Sequence, residues 1–230
     1  MPAVPRRPAS AAALLLALVL GAPALVAQGG SPANLFRATE TLPVFTHINA
    51  GGNLLVSTPP NGRPTVVLFL RRAQAESFLA GVKAQNATVA SQLRLDSPTL
   101  SDVLRQRPAA GGYEITFVPD PEQVLAANDE LRRQGKAAVQ GTPVFLLRSD
   151  ALGYVTITVN GHQVIPAFLG FGEVLALRQQ TQAQVGTPAT LAIEVTSLEG
   201  LLTALQGAPS PFFNTVLLQP AGGATAELVR

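Results

Sequence analysis

Two histidines, fourteen carboxylates and no cysteine are the raw material for chemistry in this chain. The missing cysteines exclude thiolate catalysis, thiol redox chemistry and sulfur-based zinc sites. A serine hydrolase would need a nucleophile framed by a base and an acid, and no G-x-S-x-G elbow accompanies His47 or His162. Histidine, aspartate and glutamate nowhere recur at metal-ligand spacing. The glycines of "GFG", 170–172, lack the spacing of a dinucleotide loop, and no G-x-x-x-x-G-K-[ST] occurs. "GFG" reads instead as the start of a helix. Asp120, which opens "DPEQ", has the position of a helix cap rather than of a general acid. Asn86-Ala87-Thr88 fits a glycosylation sequon, which matters only on a eukaryotic secretory route. Both histidines read as ordinary surface or strand residues. The residues supply no catalytic, cofactor or metal site, and the chain reads as a non-enzyme.

Binding is better represented. Only 13% of the residues are charged, against an ordinary ~25%, so the surface is bland. Phe212 and Phe213 follow "GAPSP" in an expected loop, and Phe171 lies between two glycines. Loop aromatics of this kind either tuck into the core or form an apolar patch that receives a partner. Four strand phenylalanines form a matched set, Phe45 with Phe145 and Phe69 with Phe168. Their default role is core; a sharper one is lining two related grooves. These seven are the candidate protein-binding residues.

The opening "MPAVPRRPASAAALLLALVLGAPALVAQGG" has the basic start, apolar run and small-residue end of a cleavable export signal. Cleavage is expected after Ala24 or Ala27, and the apolar run is short for a membrane span of ~20 residues. With 16 Lys+Arg and 14 Asp+Glu overall, losing Arg6 and Arg7 leaves the mature chain balanced. A neutral surface argues against a nucleic-acid binder, which needs a basic stripe.

The elements that would position the phenylalanines repeat. "PVF" at 43–45 returns at 143–145, and Asn61-Gly62 returns as Asn160-Gly161. Asn-Gly supplies the two positive-φ residues of a type I′ hairpin, and "YVTITV" beside the second pair alternates as a strand should. "LRLDSPTLSDVL", 93–104, matches "LAIEVTSLEGLL", 191–202, each a strand feeding a capped helix. Ser97 with Pro98 reads as one cap, and Thr196 with Glu199 as a capping box. "EITFVP" answers "NTVLLQP", setting Pro119 against Pro220. "VVLFLRRAQAESFLAGVKAQ" gives a strand and then a helix with Ala75, Phe78, Leu79 and Val82 on one face. After Pro119 the first half alone adds a helix, with Asp120 as cap, Pro121 first, Gln123 closing a capping box and Gly135 as its stop. That helix joins the copies.

The expected fold is α+β: two pseudosymmetric repeats of about 100 residues, each a small mixed sheet with helices on one side, packed face to face. The expected boundaries are 1–27 for the signal peptide, 28–136 for the first repeat with its linking helix, and 137–230 for the second.

The "PVF" strand, glycine turn, "NG", "F-L" strand, "A-E-x-F-L" helix, "FVPDPEQV" and "TPVFLL…GYVTITVNGHQVIPAFLGFGEVLAL" together resemble the Tic-twenty-two family. This family is known from the chloroplast inner-envelope translocon and from bacterial periplasmic homologues, and the likeness covers roughly residues 38–230. It implies a soluble protein of a periplasmic or intermembrane space, with two related α+β halves and apolar hollows. It further implies roles in preprotein passage or outer-membrane biogenesis, as a chaperone-like partner of barrel-assembly machinery, and no catalytic residues. The partners implied are unfolded or outer-membrane client proteins. No cofactor, nucleic acid or small-molecule substrate is expected, and no membrane span after signal cleavage.

Two other readings compete. A redox-dead thioredoxin-like pair, binding peptides or acting as a scaffold of the cell envelope, would place a cis-proline at Leu42-Pro43 or Thr142-Pro143. A periplasmic hydrolase would use His47 or His162.

Overall fold

The computed structural model describes residues 32–57, 64–106, 112–151, 153–185, 190–207 and 212–222. The expected export signal, with cleavage expected after Ala24 or Ala27, and the first Asn-Gly pair at 61–62 lie outside the described residues.

The chain begins with α1 (Pro32–Thr39), whose Leu35 and Ala38 are buried. Then come β1 (Thr46–Asn49), β2 (Val56–Ser57), β3 (Thr65–Phe69), α2 (Arg72–Gln85), the one-turn α3 (Ala87–Ala90), β4 (Leu93–Asp96), α4 (Leu100–Gln106) and β5 (Glu114–Val118). A longer helix, α5 (Pro121–Arg133), leads into β6 (Pro143–Ser149), β7 (Gly153–Tyr154), β8 (Ile157–Val159), β9 (His162–Phe168), α6 (Phe171–Val185), β10 (Leu191–Ser197), α7 (Leu198–Gly207) and β11 (Val216–Gln219). The fold is a mixed α+β arrangement of small mixed sheets and helices.

The second sheet runs β10-β6-β9-β11, with β6 antiparallel to β10 and β11 parallel to β9. β6 and β9 meet at Phe145 and Phe168. In the first half β1 is antiparallel to β4 and β3 is parallel to β5. The two pairs meet where Phe45 and Phe69 exchange both backbone hydrogen bonds, at 2.8 and 2.9 Å. Pro43 faces Thr99 as Pro143 faces Ser197.

Strand alternation then assigns the core. Val44, Val66, Leu68 and Phe117 from the first half join Val144, Leu146, Ile165, Ala167, Val216 and Leu218 from the second in one cluster. α1, α4 and α7 add Leu35, Val103 and Leu205 to it. The opposite face of the second sheet, with Phe145, Leu147, Phe168 and Ile193, packs under Ala127 of α5 and Val174 and Leu177 of α6. Helices therefore cover both faces of that sheet, not one as expected. The sequence pattern counts helices but does not say to which side each crossover returns.

Several local expectations hold. Asn160 and Gly161 have φ of 50° and 78° and turn β8 into β9, with Val159 opposite His162. Asp120 caps α5 by accepting the Glu122 N–H at 3.0 Å, and Gly135, at φ 68°, ends it. "GFG" does open a helix.

The caps of α4 and α7 shift. The ladder continues past Ser97 and Thr196, because the Pro98 carbonyl accepts the Val44 N–H at 3.0 Å and Ser197 still pairs with Pro143. Each helix then starts later, capped by the Thr99 hydroxyl on the Asp102 N–H at 3.2 Å and the Ser197 hydroxyl on the Gly200 N–H at 3.1 Å. Glu199 is thereby freed to accept the Thr142 N–H at 3.1 and 3.3 Å. Gln123 does not close a capping box either; its side-chain oxygen accepts the Phe171 N–H at 2.8 Å, tying α5 to the start of α6. "YVTITV" is broken in two, since Tyr154 pairs with Arg148 of β6 while Ile157 pairs with Val164 of β9.

Candidate functional site

No group of three or more histidine, aspartate or glutamate side chains converges to hold a metal among the described residues. The histidines are far apart in role. His47 on β1 is 2% exposed, edge-on to Phe69 at 5.8 Å and tilted against Phe78 at 5.3 Å. Burial pulls its pKa below the usual 6.5, opposed by a hydrogen bond with the Ala75 main chain. It is a neutral, enclosed strand residue at neutral pH. His162 is exposed on the wall of an open groove of ≈ 340 Å³, with Arg37 and Glu40 from the end of α1 and Val159, Val164 and Leu217. No serine, threonine or lysine is among the residues lining that groove.

The seven phenylalanines divide into three settings. Phe145 and Phe168 are shut in the second sheet's outer core at 0% and 4% exposure, and half-buried Phe171, in the first turn of α6, lies tilted against Phe145 at 5.3 Å. Phe69 is also buried, whereas Phe45 is half-buried. Their neighbour Phe78 on α2 is 38% exposed and lies 5.4 Å from Phe69. The default core role thus describes Phe69, Phe145 and Phe168.

Phe212 and Phe213 form the third setting. The turn before β11, closed by the Thr215 N–H on the Phe212 carbonyl at 3.0 Å, leaves both rings half-buried against the main core. They meet edge-on at 5.0 Å, and Phe212 lies tilted against Tyr154 at 4.7 Å. Tyr154 donates its hydroxyl to the Glu194 carboxylate, both oxygens 3.0 Å away, and Arg148 stands 3.9 Å from the same carboxylate. Burial first, and then that carboxylate, push the phenol up to about 12. The phenol stays protonated as a donor at all ordinary pH values. The result is a partly open aromatic ledge with a polar rim.

Tyr154, Glu194 and Phe78 were not among the sequence candidates. Phe78 was legible only as a helix-face residue. Tyr154 and Glu194 come together because β7 and β10 flank β6, a pairing that no local pattern announces.

Among the described residues no helix is long and apolar enough to cross a membrane. No peptide bond among them is cis, so Leu42-Pro43 and Thr142-Pro143 are trans and the thioredoxin-like reading loses its support.

Comparison with known proteins gives a consistent result. The Tic22-like family model matches residues 5–229. Protein TIC 22, chloroplastic, from Arabidopsis thaliana is 28% identical over 116 residues, which is 50% of this chain and 42% of that protein. The chain thus aligns with less than half the length of this curated relative. The solved structure of Anabaena Tic22, described as protein transport, superposes with a TM-score of 0.69 at 22% identity, covering 87% of this chain and 96% of that one. Tic22 from Plasmodium falciparum gives 0.62 at 15% identity, covering 84% and 95%. These structural likenesses carry the fold, and the family model spans nearly every residue from the first strand to the last: the chain belongs to the Tic22-like family.

Proposed function

We propose that this chain is a non-enzymatic, chaperone-like factor of protein transport or outer-membrane biogenesis that holds unfolded client polypeptides on apolar surfaces. The observation that carries the reading is the half-buried ledge of Phe212, Phe213 and Tyr154, an apolar surface open enough to take a client side chain. Family membership supports a transport role, and the barrel-assembly machinery is the partner proposed for the exported, periplasmic form. The leader-like opening supports that location.

We further read the two halves, 28–136 and 137–230, as copies of one unit. The support is the matched strand order and senses, and the bridges at Phe45–Phe69 and Phe145–Phe168. The Leu100 N–H on the Leu42 carbonyl, at 2.8 Å, is answered by the Leu198 N–H on the Thr142 carbonyl, at 2.7 Å.

The test is aggregation of an unfolded outer-membrane barrel protein followed by light scattering, with the purified chain from Gln28 onward added. Suppression at near-equal molar ratio is expected. Unchanged scattering at severalfold excess overturns the client-holding reading.

A further inference from the structure

Strand pairing decides which main-chain groups of β4 look outward. The His47 carbonyl on β1 accepts the Leu55 N–H at 2.7 Å, on the side away from β4, and the Pro98 carbonyl accepts the Val44 N–H at 3.0 Å. Asp96 and Arg94, opposite Thr46 and Ile48, therefore bond inward. Alternation along the ladder turns the N–H and C=O of Leu93, Leu95 and Ser97 outward. The second half has the same phase, with Ile193 in the place of Leu95, but there Gln134 donates to the Ile193 carbonyl at 2.7 Å. Among the described residues no side chain bonds to the outward groups of β4. Its edge is open.

The side chains along that edge complement themselves. Arg94, Asp96 and Ser97 are exposed, and Leu93 and Leu95 are half-buried. Arg94 and Asp96 enter no ion pair among the described residues. On β10 their places are taken by Ala192 and by Glu194, whose carboxylate already accepts the Tyr154 hydroxyl.

We infer that β4 pairs with β4 of a second copy of this chain, antiparallel about a two-fold axis through Leu95, so that one sheet runs across both molecules. A two-fold contact sets residues against each other reciprocally. Centred on Leu95, it places Arg94 opposite Asp96 of the second copy, and Asp96 opposite Arg94 of the second copy. Leu95 then meets Leu95, and Leu93 faces Ser97. The directly opposed charges come within about 5 Å at their Cβ atoms. Centring on Leu93 instead would oppose Gln92 with Arg94, and centring on Ser97 would oppose Asp96 with Pro98, so charge selects a single register. The same operation on β10 opposes Ala192 with Glu194 and gains nothing. An arbitrary client strand carries no such match, and edge charges turn it away. A contact this short belongs to the weak, reversible class.

The test is sedimentation of the same purified chain used in the aggregation assay, across a concentration series. A monomer–dimer equilibrium is expected with a dissociation constant below about 100 μM, weakening severalfold from about 0.05 to 0.5 M salt. Arg94→Asp alone and Asp96→Arg alone each set like charges together and should weaken it about tenfold. Both residues are exposed, so the fold should survive either change. The double variant should dimerise as the wild type does, because it restores opposite charges. A one-to-one mixture of the two single variants should also dimerise, two carboxylates meeting two guanidiniums. Hydrogen exchange at Leu93, Leu95 and Ser97 should slow as concentration rises.

A chain that stays monomeric to several hundred μM overturns the inference. So does a dimer indifferent to Arg94→Asp, or one that neither the double variant nor the mixture restores. Slowed exchange at 93–97 in a monomer, caused by added unfolded barrel protein, also overturns it, since a client strand would then take the edge. The inference goes beyond client holding and fails separately: scattering reads one, sedimentation the other.

Discussion

His47 stands where the second half has Leu147, and the exchange has a consequence for stability. Its imidazole is enclosed by Phe69 and Phe78, and burial holds its pKa below 6.5. The unfolded chain takes up a proton near pH 6.5 and the folded chain only at lower pH, so stability is lost as pH falls from about 6.5 toward the depressed value. His47→Leu should reduce that loss. Urea midpoints at pH 7.5 and 5.5 check it: the wild type should drop further than the variant, and equal drops would contradict the assignment. The sequence read His47 as an ordinary surface or strand residue, and it lies buried on β1. It could not show the enclosure, because Phe69 and Phe78 reach the ring only after α2 folds over the sheet.

Turns and caps show where local sequence rules suffice and where tertiary pairing overrides them. Asn160-Gly161 is readable because its conformation is dictated locally, by two residues at positive φ. Gly161→Ala, at φ 78°, should cost about 1–2 kcal/mol by strain alone, read as a lowered urea midpoint with unchanged slope. Gly141 is more demanding, at φ 85° with a Glu199 carboxylate oxygen 2.6 Å from where a Cβ would stand. Gly141→Ala should therefore cost more than Gly161→Ala, because it also pushes Glu199 off the Thr142 N–H. A smaller loss at Gly141 would show that the carboxylate moves freely. The capping motifs at Ser97 and Thr196 misled by a few residues for one reason. The strands before α4 and α7 are extended by pairing with Pro43 and Pro143, and that pairing is invisible to a four-residue pattern. Gln123 and Glu199 carry the capping-box spacing, yet they bond across the molecule instead, which no helix-start rule anticipates.

At the scale of the molecule, the main core takes side chains from both halves of the chain, so neither half closes its own interior. Leu146, 2% exposed between them, should cost about 2–5 kcal/mol as Leu146→Ala. Unfolding should remain one transition by fluorescence and circular dichroism together; two separated transitions would mean that the halves are independent. The alternating strands and the helix starts made the mixed α+β character legible, but the meetings of Phe45 with Phe69 and of Phe145 with Phe168 come from strand pairing that the sequence did not announce. The aromatic ledge was only half legible: Phe212 and Phe213 stood out as loop aromatics, but Tyr154 and Glu194 joined them through strand pairing. That ledge is where client holding stands or falls, and hydrogen–deuterium exchange with and without an equimolar unfolded barrel protein addresses it most directly. Exchange should slow at 153–155 and 212–216 when client is present, with the interior of β6 and β10 unaffected. Unchanged exchange at both stretches, while client is demonstrably bound, would place the holding surface elsewhere and contradict the assignment.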